Sequence, residues 1–221
     1  MLNPLYRLLL ILLTCALPLT TVRAAVDPDA PPAFNQGKDY VVLPNPVATA
    51  TPDKIEVIEF FSYTCPHCRS LEPSAQAWLK RKPDNVAFVR IAVSFSPNWE
   101  PSARAYYAAE ALGVLDKMHP FLFETVRSNP RAGLDELAAL FAEHGVDQDT
   151  FRKAYSSFQT ETQLRRGNQI AQRYKINGVP GIIVNGKYDV RSARMFETVD
   201  FLIAQETAAA TVVTTSSPAA K

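Results

Sequence analysis

The sequence predicts an α/β protein: a mostly parallel sheet with an antiparallel edge hairpin, interrupted by an inserted all-helical block. Three observations lead there. Ile55–Phe61 and Val86–Phe95 are nearly continuous runs of β-branched and aromatic residues, the signature of strands buried on both faces, and helical spacing separates them. From about residue 98 to 165, apolar residues recur at helical rather than strand intervals. Near the end, Asn185-Gly186 stands between two short apolar runs and reads as a two-residue hairpin turn.

Taken in order, residues 1–24 have the composition of a signal peptide. Arg7 supplies a positive start, and Leu8–Leu19 is a mostly apolar run too short to span a bilayer. Val22-Arg23-Ala24 then invites cleavage after Ala24. Cys15 raises a lipoprotein signal as a rival, but Leu12-Leu13-Thr14 lacks the very small residue needed directly before it. Residues 25–38, rich in Pro, Asp and Ala, read as a loose N-terminal arm. The first part of the core, 39–97, follows. Tyr40–Leu43 is a short strand, Pro44, Pro46 and Pro52 mark a loop, and Ile55–Phe61 is the first buried strand. Pro66 suits the first position of a helix, continued by Leu71, Ala75 and Trp78-Leu79, with Pro73 expected to kink or break it.

The helical insertion, 98–165, holds Ala103–Leu115, Phe121–Val126, and a stripe of Leu134, Leu137, Ala138 and Phe141. Phe151, Ala154, Tyr155 and Phe158 repeat the pattern. Phe121, Phe123, Phe141 and Phe158 are expected in its core, with some of them as the alternative lining a hydrophobic groove near Cys65 that would serve unfolded substrates. The second part of the core, 166–206, has a helix over Leu164–Tyr174, the strand Ile182–Val184, its partner Lys187–Val190, and a helix over Phe196–Gln205. Residues 207–221, made of Ala, Thr, Ser and Pro, read as a disordered tail.

Charge is balanced, 23 Lys and Arg against 22 Asp and Glu, with no basic stripe, so nucleic acid is not an expected partner. Export implies an oxidising compartment. Once Cys15 is removed, two cysteines remain, Cys65 and Cys68, separated by Pro66 and His67. Zinc would need further ligands, and His119 and His144 are not spaced to supply them; both are expected on the surface or in the core. An inert disulfide closing so small a loop would stabilise little. A redox couple has a mechanism. At a strand-to-helix junction Cys65 meets free N–H groups and the positive helix end, which favour its thiolate, and a protonated His67 adds to this. A stabilised thiolate stabilises the reduced form and makes the disulfide a strong oxidant. Cys68, one turn on, is the resolving thiol.

FFSYTCPHC, followed far downstream by NGVPGIIVNGKY, resembles the DsbA family of periplasmic thiol:disulfide oxidoreductases. Reducing thioredoxins usually have Gly-Pro between the cysteines and DsbC-type isomerases Gly-Tyr. The resemblance implies a thioredoxin-like core with a helical domain inserted after its third strand. It also implies that Pro180, which pattern alone would leave as an ordinary trans proline, is cis and faces the disulfide. Pro180 then shapes the site, and the Val179 backbone binds an extended substrate as an added strand. Glu59, six residues before Cys65, is open on pattern alone between reaching solvent and being a buried acid. The resemblance implies a buried proton acceptor, or a tuner of Cys68, often paired with a lysine. Here the only basic residue in VAFVRIAVSF is Arg90, which could keep Glu59 ionised but could not relay protons.

The expected activity is oxidation of dithiols in unfolded exported proteins, by a monomer, with reoxidation by a DsbB-like membrane protein linked to quinone. No bound metal or organic cofactor is implied. A reductase or isomerase, and a non-catalytic binder of unfolded chains, are the alternatives. Reduction potential separates the first; replacing Cys65 with serine separates the second.

Overall fold

The structure, a computed structural model, describes residues 34–215. The expected signal peptide, most of the arm and the end of the tail lie outside the described residues. Five strands are β1 (Tyr40–Val42), β2 (Ile55–Phe61), β3 (Val86–Ala92), β4 (Gly181–Val184) and β5 (Tyr188–Val190). Seven helices are α1 (Pro66–Leu79), α2 (Glu100–Ala111), α3 (Leu115–Ser128), α4 (Leu134–Glu143), α5 (Gln148–Tyr155), α6 (Phe158–Arg173) and α7 (Met195–Thr215). The strands form one sheet in the order β1-β5-β4-β2-β3.

The expected α/β core interrupted by helices is present, but the sheet is mixed rather than mostly parallel. Only β2 and β3 run parallel, joined by α1 as the crossover; β2–β4, β4–β5 and β5–β1 are antiparallel. The strand after Pro180 therefore neighbours β2 as expected, in the opposite direction. The long helical excursion returns the chain to the same end of the sheet from which it left.

Alternation along β2 fixes what each face meets. Val57 packs with Trp78 of α1 and with Phe196, Val199 and Leu202 of α7. Ile58 and Phe60 pack on the other face with Ala171 and Tyr174 of α6 and its following loop. Glu59, in register with Val57, consequently points toward α1. The Asn185-Gly186 turn forms as expected, both residues at positive φ (50° and 64°). A side chain at Gly186 would run into the Val47 carbonyl, so glycine is required there by close approach as well as by φ.

Other expectations are corrected. α1 continues through Pro73 without a break. Phe158 does not extend the α5 stripe: it opens α6 and is 87% exposed, while Phe121 is also exposed. The chain bends at Ser156-Ser157, where the Ser157 side chain caps α6, so the apolar spacing does not continue across the gap. Residues 207–215, read as disordered, continue α7; Ala208-Ala209-Ala210 favours the helix and no Gly or Pro interrupts it before Pro218. Within the arm, Phe34 is buried against Phe201 rather than loose, with the Arg194 guanidinium over its ring. A boundary at residue 165 falls inside α6, whose Leu164 belongs to the helical block and whose Ala171 belongs to the sheet.

Candidate active site

β2 delivers the chain to the site, and Ser62-Tyr63-Thr64 turn it into α1. Cys65 takes the N-cap position in an extended conformation (φ −85°, ψ 117°), and Pro66 occupies the first helical position. Because Pro66 has no N–H, the first unpaired donors of α1 belong to His67 and Cys68. Pro66 and His67 are exposed at the rim. Cys65 is 8% exposed and Cys68 1%, so a bulky thiolate can reach the first sulfur and not the second. Both are free thiols.

The two thiols are driven apart. Cys65 is lowered to about 6, chiefly by the Cys68 thiol donating to its sulfur; burial opposes this, and the Cys68 and His67 N–H groups and the charge of His67 reinforce it. Cys68 is pushed up, first because its proton is held against Cys65 and then by burial, with the nearby charge of Glu59 adding to both. The Cys65 side chain closes no capping hydrogen bond as a thiol. It donates instead to the Val179 carbonyl at 3.3 Å. The Val179–Pro180 peptide is cis. Cys65, Cys68 and Val179 also share one apolar cluster with Phe61 and Tyr63, so the cysteine pair is packed into the helical block's core.

Beneath Cys68 lies a buried polar network. Glu59 is 1% exposed and accepts from Arg90 Nε at 2.8 Å. Arg90 also donates to Glu72 of α1 (2.8 Å) and approaches His119 Nε2 (2.9 Å). Since a guanidinium only donates, His119 Nε2 accepts; a neutral ring then carries its proton on Nδ1, 2.7 Å from the Tyr63 hydroxyl. Burial raises Glu59, with Arg90 opposing. Burial lowers His119, helped by Arg90 and opposed by Glu72. Burial works against charge on Glu72 too, yet the Arg90 guanidinium bonded to it holds it low.

A profile of the DSBA-like thioredoxin domain matches residues 56–203. The thiol:disulfide interchange protein DsbA of Azotobacter vinelandii is 39% identical over 188 residues, covering 81% of this chain and 88% of that protein. The DsbA of Pseudomonas aeruginosa is 36% identical over 185 residues, covering 80% and 88%. Its crystal structure superimposes with a TM-score of 0.75 at 35% identity, over 80% of this chain and 97% of that one. The oxidoreductase DsbA of Xylella fastidiosa gives 0.73 at 34%, over 80% and 99%.

The chain belongs to the DsbA family.

As a DsbA-family member it is a thiol:disulfide oxidoreductase with a thioredoxin fold. The structure brings Cys65, Cys68 and Val179 into contact, and places Glu59 on Arg90 below them. Sequence reasoning missed Glu72, His119 and Tyr63 as members of the network. Glu72, on the helix that begins at the cysteines, could have been found: it lies one turn beyond Cys68 on the face toward β2. His119 left no local signal, because only packing of α3 against β2 and α1 brings it there.

Proposed function

We propose that the chain is a periplasmic disulfide donor to exported proteins that carry free thiols. The observation that supports this most is the split between the two thiols at the start of α1: one lowered to about 6, the other raised. A substrate thiolate attacks Cys65 Sγ, the Cys65–Cys68 bond breaks, and its electrons leave on Cys68, which takes up a proton. The mixed disulfide then lies along Val179. In the dithiol form the Val179 carbonyl accepts from the Cys65 S–H; in the disulfide and mixed-disulfide forms that sulfur carries no proton, and the carbonyl is free to accept from a substrate N–H. A second substrate thiolate attacks the substrate sulfur of the mixed disulfide and expels Cys65 as a thiolate. The substrate is oxidised by two electrons and the enzyme is left reduced.

In this cycle Cys65 is the attacked sulfur and Cys68 the resolving one. Pro66 leaves the helix end open toward Cys65, His67 adds positive charge at the rim, Pro180 shapes the wall opposite, and Glu59 exchanges a proton with Cys68. Reoxidation is assigned to a DsbB-like, quinone-linked membrane oxidase. Equilibration of the chain with glutathione tests the direction of flow. The couple should be more oxidising than glutathione, and a couple as reducing as that of thioredoxin refutes the proposal.

A further inference from the structure

β3 is an edge strand, and its outer side has an open window at Phe88–Arg90. The β2 ladder begins with Ile55 N–H donating to Asn85 C=O and ends with Val93 N–H donating to Phe61 C=O. Since a parallel ladder uses alternate residues of a strand, Ala87, Val89 and Ile91 face β2, and Val86, Phe88, Arg90 and Ala92 face outward. Half of these outward groups are capped. Val86 N–H donates to Pro83 and its C=O accepts from Lys82 Nζ at 2.9 Å. The Arg90 and Ala92 carbonyls accept from the Tyr106 and Tyr107 hydroxyls at 3.1 and 2.9 Å. Among the described residues, the Phe88 N–H, the Phe88 C=O, the Arg90 N–H and the N–H of buried Ala92 have no partner. Uncovered groups in strand register are a template for another strand.

Two grooves flank this window. One, of about 520 Å³, is lined by Leu79 of α1, Phe88, and Tyr106, Leu115 and Asp116 of the helical block. The other, of about 970 Å³, runs between β3 and α6 and includes Phe158, the most exposed large apolar residue described. Val89, Arg90 and Glu110 line both, so the β3 edge is the ridge between them. Side chains of an added strand would enter the two grooves alternately. Glu110 and Asp116 are exposed and form no ion pair among the described residues.

We propose that the β3 edge at Phe88–Arg90 receives an extended segment of another polypeptide as an antiparallel strand, with a basic side chain against Glu110 and Asp116 and an apolar one against Phe158. The unpaired backbone groups ask for a backbone, and the two acids ask for a cation. A second copy of this chain pairing β3 to β3 would instead bring the same acids together, which like charge disfavours. The site is independent of the disulfide chemistry.

The test uses the full chain and a cysteine-free, acetylated hexapeptide of alternating valine and lysine. Saturating peptide should slow exchange of the Phe88 and Arg90 amides by about tenfold or more and leave Val89, already in the ladder, unchanged. The valine–glutamate peptide, or the Glu110→Lys/Asp116→Lys variant, should weaken binding by about tenfold or more. Phe158→Ser should weaken it by about threefold. These three positions are exposed, so folding is not at stake. Absence of saturable binding, binding that leaves the two amides unmoved, or full affinity in the charge-reversed variant overturns the proposal. Protection that rises with protein concentration alone overturns it in favour of self-association.

Discussion

The low Cys65 thiol has an identifiable first cause, the Cys68 S–H, and removing that donor tests the whole account of the site. Cys68→Ala deletes it while leaving α1, its N–H groups and His67 in place. Hydrogen bonds to charged groups contribute about 1.5–3 kcal/mol, and one pKa unit corresponds to about 1.4 kcal/mol, so the loss is worth roughly one to two units. The Cys65 sulfur sits near the surface and water replaces part of the missing donor, which favours the lower end. Cys65 should therefore rise from about 6 by about one unit, and stop well short of the ordinary 9.0 because the helix end still acts on it. Cys68→Ser restores an O–H donor in the same place and should return the thiol close to its starting value. The readout is thiolate absorbance against pH, checked by the rate of alkylation. An alanine variant that titrates like the parent refutes the argument, since the helix end alone would then suffice. If serine and alanine variants titrate alike, packing rather than hydrogen bonding is responsible.

Three further outcomes are expected. Because the folded value of Cys65 lies below its unfolded one, ionisation stabilises the dithiol form: the effect is full above about pH 9, shrinks as pH falls, and is gone below about 6. Urea midpoints of the dithiol form should therefore fall relative to those of the disulfide form, which lacks this titration, between about pH 9 and pH 5. Glu59→Gln leaves Arg90 buried with only Glu72 as a charged partner and should cost about 3 kcal/mol, the low end for a broken buried pair, measured by urea unfolding. Thr64→Val removes a buried hydroxyl without a partner among the described residues, directly before Cys65, and should be neutral or stabilising by up to about 1 kcal/mol; a loss of about 2 kcal/mol would mean the hydroxyl is satisfied.

Local chemistry was legible in the sequence where it is decided locally. β2 has the boundaries its apolar run predicts, Pro66 opens α1 directly after Cys65, and Asn185-Gly186 makes its turn. The direction of β4 was not legible, since it depends on where a long helical excursion returns the chain. Phe158 misled because a periodic pattern cannot show that a serine cap restarts the helix one residue earlier. Glu59 is the instructive case. Its alternation with Val57 and Phe61 was visible, but whether that face met solvent or α1 depended on tertiary packing. The same packing brought Glu72 and His119 to Arg90, and no spacing in the chain relates those residues.

The buried network also narrows where the proton of Cys68 can go in the proposed cycle. Arg90 stays charged and cannot take it. Glu72 is held low by the Arg90 guanidinium bonded to it, so it remains a carboxylate. His119 is lowered by burial, and its Nε2 lone pair is engaged by Arg90, so a second proton there would face the guanidinium. Glu59 is the only carboxyl of the group displaced upward, by burial that Arg90 only partly offsets. An arginine at position 90 therefore fits a division of labour in which it fixes the carboxylates and Glu59 alone changes protonation. The same arrangement sets negative charge under Cys68 and not at the helix end, so one short helix raises one sulfur and lowers the other. If Glu59 is that group, Glu59→Gln should slow the steps in which Cys68 gains or loses a proton and leave the Cys65 titration near about 6; a large shift of Cys65 instead would place Glu59 among the groups that set the attacked sulfur.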